Sequence, residues 1–406
     1  MSSRPLDGVV VADLSRVLAG PLAAVMLADL GATVIKVERP GSGDDTRQWG
    51  PPWSGSSSSY FESANRSKQS IALDFADADD LAVAHRLVAR ADVVIENYRA
   101  GALARFGLDE ATVREGNPRV VYTSISGFGS GAGADLPGYD FLVQAVGGLM
   151  SITGDPDGEP QKVGVALVDV LTAKDAVIGT LSALRHRDST GLGQHVEVNL
   201  LSSLLGSLAN QASAYLATGE APARLGNRHP SIAPYDSLRC QDGSLAVACG
   251  NDRQWRIICE VIGAPQLADD PRFARNADRV AHHCELVAEL ETALAADTVT
   301  AWAERFSAAG IPAGKVNTIG EAIALARDLD LDPTVPVGEG HPDQLSHPIR
   351  YSAFRVATPR TPPALDADGD AVRAWLAQEQ VDVRAGSTSQ TPVPPGHASG
   401  GDSHVA

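Results

Sequence analysis

The first third of the chain alternates two hydrophobic patterns. Short continuous apolar runs occur at GVVVADLS (8–15), ATVIKVE (32–38), SIALDF (70–75), ADVVIENY (91–98) and RVVYTSISGFG (119–129), the form taken by strands buried on both faces of a sheet. Between them lie segments with helical spacing: GPLAAVMLADLG (20–31), with Pro21 near its first turn and Gly31 past its end, then DADDLAVAHRLVAR (77–90) and DEATVREGN (109–117). Alternation of this kind predicts an α/β fold, a parallel sheet with helices on both faces. Past residue 188 the pattern changes to a glycine turn, a short strand and one long apolar helix over VNLLSSLLGSLANQASAYLATG. LRCQDGSLAVACG then reads as two strands joined at Asp242–Gly243, followed by helices around RQWRIICEVIG, HHCELVAELETALAA and TVTAWAERFSAAG. The expected organisation is a large Rossmann-like domain over 1–200, a linker helix and loop over 201–224, and a smaller α+β domain over 225–325. A return segment over 326–383 rejoins the large domain, and 384–406, polar and rich in glycine and proline, reads as a disordered tail.

Composition narrows the function classes. The chain has 406 residues, 44% hydrophobic and 20% charged, ordinary values for a globular protein, and a formal net charge of −17. That charge argues against nucleic acid or an anionic membrane as partner, while leaving room for a small polyanion held by local arginines. No apolar run reaches the ~18 residues of a membrane helix. The start, MSSRPLDGVVVADLSR, has Asp7, Asp13 and Arg16 around its short apolar part, unlike a signal peptide. The cysteines Cys240, Cys249, Cys259 and Cys284 form no CxxC pair, so buried reduced thiols in a cytoplasmic protein are expected, with no metal site.

A doubly wound sheet gathers functional groups at the carboxyl ends of its strands, here Arg16, Glu38–Arg39, Glu96–Asn97–Tyr98 and Ser126–Gly127. The first turn, SRVLAGP, has one glycine where the dinucleotide fingerprint needs three, which sets nicotinamide binding aside. A different acid draws attention. In VGVALVDVLTAKDAVIGTLSALRHR (163–187), Asp169 stands between an apolar stretch and a helical pattern. It reads either as a helix N-cap or as a carboxylate kept ionised near a helix N-terminus in an apolar setting, a competent nucleophile.

The stretches DLSRVLAGPLAAVMLADLGATVIKVERPGSGDDTRQWGPP, NRSKQSIALDF, ADVVIENYRAGALARFGL, PGYDFLVQAVGGLMSITG, TGLGQHVEVNLL and CGNDRQW, with the Asp169 segment, run in order over nearly the whole chain. In these the chain resembles the class III coenzyme A transferases, the CaiB/BaiF family that includes formyl-CoA:oxalate and carnitine CoA-transferases. The resemblance implies a Rossmann-like large domain, a small domain and a homodimer of two chains threaded like linked rings. It implies acyl-CoA and small carboxylates as substrates, no prosthetic group, and Asp169 as the nucleophile that carries a covalent intermediate. It further places Arg39, Lys68 and Arg105 at the CoA phosphates or adenine, Asn97 and Tyr98 along the cofactor and Leu73 on an apolar wall, with Arg16, Val17 and Ala19 among the cofactor-binding positions.

The same resemblance bears on reaction type. Related α-methylacyl-CoA racemases carry a GHD motif whose histidine works with the aspartate; here it is GYD, Tyr139 and Asp140. Tyrosine, with a reference pKa near ~10, is a poor base at neutral pH, so transferase is favoured over racemase, with Asp140 either an assisting group or a structural residue at the strand's end. A non-catalytic acyl-CoA-binding protein is the third reading. Val17 stands where the formyl-CoA branch has glutamine, against oxalate as acceptor, and Arg228 and Arg253 suit a dicarboxylate such as succinate. The ACGNDRQW segment has only Gly250 where some transferases carry a glycine run, against a mobile lid.

Overall fold

The computed structural model of the chain describes residues 4–55 and 57–378; the tail expected from 384 lies outside the described residues. The described chain forms two compact units, one from residues 4–147, 164–213 and 332 onward, the other from 148–163 and 214–331.

The first unit is built on a parallel sheet of six strands: β1 (Val10–Asp13), β2 (Thr33–Glu38), β3 (Gln69–Ala72), β4 (Val93–Glu96), β5 (Val121–Ser126) and β6 (His195–Asn199). Their order across the sheet is β3-β2-β1-β4-β5-β6. β1 and β4 are buried at every residue, which explains their unbroken apolar runs. One face packs on α2 (Ala78–Arg90) and the C-terminal helix Gly369–Ala377, through Leu87, Val88, Val372 and Trp375. On the other side α1 (Ala19–Asp29) packs on α5 (Leu167–Thr190), and Thr180 of α5 bonds Thr123 of β5, 2.8 Å between hydroxyls. Two short helices, α3 (Glu110–Gly116) and α4 (Asp140–Val146), lie between α2 and α5 in the chain. The order of strands reverses at β1, flanked by β2 and β4, so a ligand crevice is expected outside the carboxyl ends of β1 and β4.

Beneath that point lies a cluster of buried charges. Lys68 donates to Asp13 at the end of β1 (2.8 Å) and to Asn65 (2.9 Å). Lys36 of β2 donates to the Ser15 carbonyl and to Asp44, each at 2.9 Å. Glu38 takes Arg47 in a two-pronged pair, the Asp44 N–H and the Ser70 hydroxyl. Burial alone would raise Asp13, but Lys68 and Lys36 hold it below the usual carboxylate range. Burial pushes Lys68 down to about 8.

The second unit carries a three-stranded antiparallel sheet, Ala313–Lys315, Ser244–Ala248 and Tyr235–Arg239 in that order. The hairpin is looser than the Asp242–Gly243 pair predicts. Arg239 opposes Ser244, so residues 240–243 all belong to the loop, closed by the Cys240 N–H on the Gly243 carbonyl. Trp255 and Trp302 are core residues, as their helical spacing predicts. The single long helix read past residue 199 is two, α6 (Leu200–Ser207) and a second over Ala209–Thr218, broken where Ala209 takes φ +43°. The helix Ile319–Asp328 and the third strand had no clear signal; the helix buries none of its residues, so periodicity had no core face to report.

Replacing Lys68 by methionine takes from buried Asp13 its directly paired cation, leaving only Lys36 nearby and the Ser15 bonds, and is expected to destabilise the first unit by about 3–5 kcal/mol, read as a lower unfolding midpoint. An unchanged midpoint would show that the pair does not support the fold.

Candidate active site

At the reversal point the Asn97 side chain, just past β4, takes both peptide groups of Arg16, just past β1: its oxygen accepts the Arg16 N–H at 2.9 Å and its amide donates to the Arg16 carbonyl at 2.6 Å. The Arg16 guanidinium lies over the Tyr98 ring, 5.7 Å from its centre. These residues open a cleft of about 410 Å³ whose walls also include Val17, Ala19, Arg99, Tyr139 and Asp169. Gly127 and Gly138 line it where two backbones touch: a Cβ on Gly127 would stand 2.7 Å from the Gly138 Cα, and one on Gly138 2.5 Å from the Gly127 Cα. This close approach seats Tyr139 and Asp140 beside the end of β5.

Asp169 is not the N-cap of its helix. α5 begins at Leu167, its N-cap Ala166 has no side-chain acceptor, and Asp169 lies in the first turn. The cap comes from the first residue of α4: Asp140 accepts the Val168 N–H at 2.8 Å and the Asp169 N–H at 3.3 Å, while Gln144 donates to its other oxygen at 2.7 Å. With capping done elsewhere, the Asp169 carboxylate is left to the cleft. Burial, and next the charge of Asp140, push its pKa up to about 7. Tyr60 is absent from the cleft lining but feels the charges of the site's acids. Its pKa is pushed up to about 12 by burial and by the charges of Asp169, Asp140 and Asp44, so it stays a neutral hydroxyl close to these acids, its ring edge-on to Trp49 at 5.2 Å.

The model of CoA-transferase family III matches residues 6–369. The chain belongs to this family. This CoA-transferase is 44% identical to the succinate–glutarate CoA-transferase of Agrobacterium fabrum, over 86% of this chain and 91% of that one. It is 41% identical to the acetyl-CoA:oxalate CoA-transferase of Acetobacter aceti, over 92% and 96%, and 38% identical to the human succinyl-CoA:glutarate CoA-transferase, over 89% and 84%. A CaiB/BaiF family protein from Brucella suis has a similar structure, with TM-score 0.84 and 43% identity, covering 92% of this chain and all of that one.

Of the residues singled out from the sequence of this CoA-transferase, Arg16, Val17, Ala19, Asn97, Tyr98, Tyr139 and Asp169 share the cleft, with Asp140 behind Asp169. Arg39 is exposed and pairs with Asp45, which lies 3.5 Å from Arg16. Arg105 is exposed above the Phe106 ring, outside the cleft lining. Lys68 and Leu73 are each 3% exposed. The Lys68 ammonium is engaged by Asp13 and Asn65 with its side chain fully buried, away from the cleft lining; Leu73 is packed in the sheet core. Arg99, adjacent to Tyr98, also lines the cleft; its place just after a strand end is the one signal for it in the sequence. Arg228 and Arg253 belong to the second unit, half-buried and exposed respectively. Among the described residues no helix is long and apolar enough to cross a membrane.

The raised pKa of Asp169 has a stability consequence. The carboxyl titrates near 3.8 when unfolded and near about 7 when folded, so folding favours its protonated form. The penalty is absent below pH ~4, grows as pH rises and is complete above about 7. Asp169→Asn is therefore expected to raise the unfolding midpoint at pH 8 and leave it unchanged at pH 4. Equal shifts at both would place Asp169 in ordinary solvent.

Proposed function

We propose that this CoA-transferase moves CoA from an acyl-CoA donor to a small carboxylic acid through a covalent intermediate on Asp169. The observation that carries the reading is the carboxylate itself: poorly solvated, relieved of capping by Asp140, and in a cleft at the reversal point of the sheet. Its oxygen attacks the thioester carbonyl carbon, the C–S bond breaks, and a mixed anhydride and CoA thiolate result. The thiolate then attacks the Asp169 carbonyl carbon and expels the donor acid, leaving an aspartyl-CoA thioester. The acceptor carboxylate attacks that thioester, and the released thiolate attacks the acceptor's acyl carbon. The products are the new acyl-CoA and free Asp169, with no net proton taken up.

In this reading Arg16 and Arg39 supply paired donors for the CoA phosphates, Arg105 a further cation at the nucleotide end, and Asn97, Tyr98, Val17 and Ala19 the walls along the pantetheine. Lys68 and Leu73 act by holding the sheet. Tyr139, 62% exposed, is a weak base, which supports transfer over racemisation. Succinyl-CoA is the proposed donor and a dicarboxylate the acceptor; the Agrobacterium fabrum and human relatives, named for succinate or succinyl-CoA and glutarate, support it. The Acetobacter aceti relative, named for oxalate, keeps oxalate among the acceptors to be measured despite Val17. A cytoplasmic homodimer completes the reading, on composition and the family resemblance.

Intact-mass analysis after mixing the enzyme with succinyl-CoA is expected to show a CoA-sized adduct on Asp169, absent in Asp169→Ala. Its rate of formation should rise with pH through about 7 and level above, since the ionised carboxylate attacks. Bound succinyl-CoA without an adduct would sink the covalent reading, and exchange of the acyl α-proton in deuterated solvent would then favour a racemase. Turnover with glutarate against oxalate decides the acceptor.

A further inference from the structure

The turn that follows β1 is held in a shape its sequence disfavours. Val17 has φ +70°, the left-handed region that a β-branched side chain avoids. Peptide groups along this turn are engaged from outside it. Lys36 donates to the Ser15 carbonyl at 2.9 Å, Asn97 takes both peptide groups of Arg16, and the two carboxylate oxygens of Asp44 lie 3.2 and 3.4 Å from the Val17 nitrogen. Asp44 is itself fixed. Its side chain is 1% exposed, paired with Lys36 at 2.9 Å, and it accepts from the Thr46 N–H and hydroxyl at 3.0 and 2.7 Å. Its own N–H is spent on Glu38. Asp44 and Lys36 are both absent from the cleft lining; they lie behind the residues that form it.

From this geometry we infer that the buried Lys36–Asp44 pair is a positioning device for CoA binding: it holds Val17 in its left-handed form and so sets the cleft wall formed by residues 16–19, without touching substrate. The inference rests on the reading of the cleft as the CoA site. Backbone strain persists only where its surroundings over-determine it, and here the determinants converge on a turn that lines the cleft. Asp13 of the same cluster accepts the Ser15 N–H at 3.0 Å, before the strained residue; of the pair, Asp44 reaches the Val17 N–H itself and Lys36 holds Asp44 and the Ser15 carbonyl.

A double-mutant cycle separates positioning from general support of the fold. Asp44→Asn keeps the shape of the side chain and removes the charge that accepts from both Lys36 and the Val17 N–H. It is expected to weaken CoA binding, measured by calorimetry, about tenfold, the size of a lost strain-holding contact. In a Val17→Gly background the same substitution should cost about twofold or less, because glycine takes positive φ without steric cost and no longer needs holding. Thr46→Val, which removes one bond to Asp44, is a milder variant for the same cycle should Asp44→Asn fail to fold, and thermal unfolding of each protein reports folding independently. Equal losses in the two backgrounds, or no loss in either, overturn the inference while leaving the CoA reading intact. A wild-type chain that binds no CoA overturns the CoA reading and this inference with it.

Discussion

The cleft depends on a group of charges that water does not reach. Asp13, Lys36, Asp44, Glu38 and Lys68 are all buried around the carboxyl ends of β1 and β2 and the start of β3, and with Arg47 their formal charges balance. Burial alone would depress Lys36, yet the carboxylates of Asp13, Asp44 and Glu38 hold it above its ordinary value. Such clusters gain little net stability over a well-packed apolar core, because desolvation offsets most of the attraction. What they gain is direction. Each partner accepts or donates along a fixed line, so the end of β1, the loop over 39–47 and the segment before β3 have one mutual arrangement. The crevice at the reversal of the sheet is shaped by that arrangement.

Asp169 shows how the fold sets one common residue apart from another of its type. A first-turn acid usually serves the free N–H groups of its own helix, and a carboxylate so engaged is stabilised and dull as a nucleophile. Here Asp140 takes that duty from the start of α4 and adds its charge to the burial acting on Asp169. Two acids of the same type are thus driven to different roles by their surroundings, one bonded to backbone, the other exposed to the cleft. The Gly127–Gly138 contact is part of the same device, since it fixes where α4 begins.

Much of the fold was legible because burial of apolar side chains leaves a period in the sequence. The buried strands and α2 announced themselves in that way, and the GYD and Asp169 stretches carried a family pattern. The failures share a cause. Periodicity does not distinguish a buried charge from an exposed one, since what separates them is a partner far away in sequence: Lys68 meets Asp13 at a separation of 55 residues. Asp169 looked like a cap because the true cap, Asp140, lies 29 residues earlier. Tyr60 gave no signal at all, for the acids whose charges reach it lie far from it in sequence.

Net charge completes the account. A chain of −17 repels a polyanionic ligand at long range, but salt screens that repulsion within about 8–10 Å, so local cations decide. Arg16 and Arg39 already converge on Asp45, whose side chain is 39% exposed. Exposed ion pairs of this kind contribute only about 0–1 kcal/mol. Asp45 is therefore held only weakly, between guanidiniums it draws together, one of them on a backbone fixed by Asn97. A strongly acidic chain and a local pair of cations are compatible here because an exposed carboxylate offsets the repulsion between the two guanidiniums.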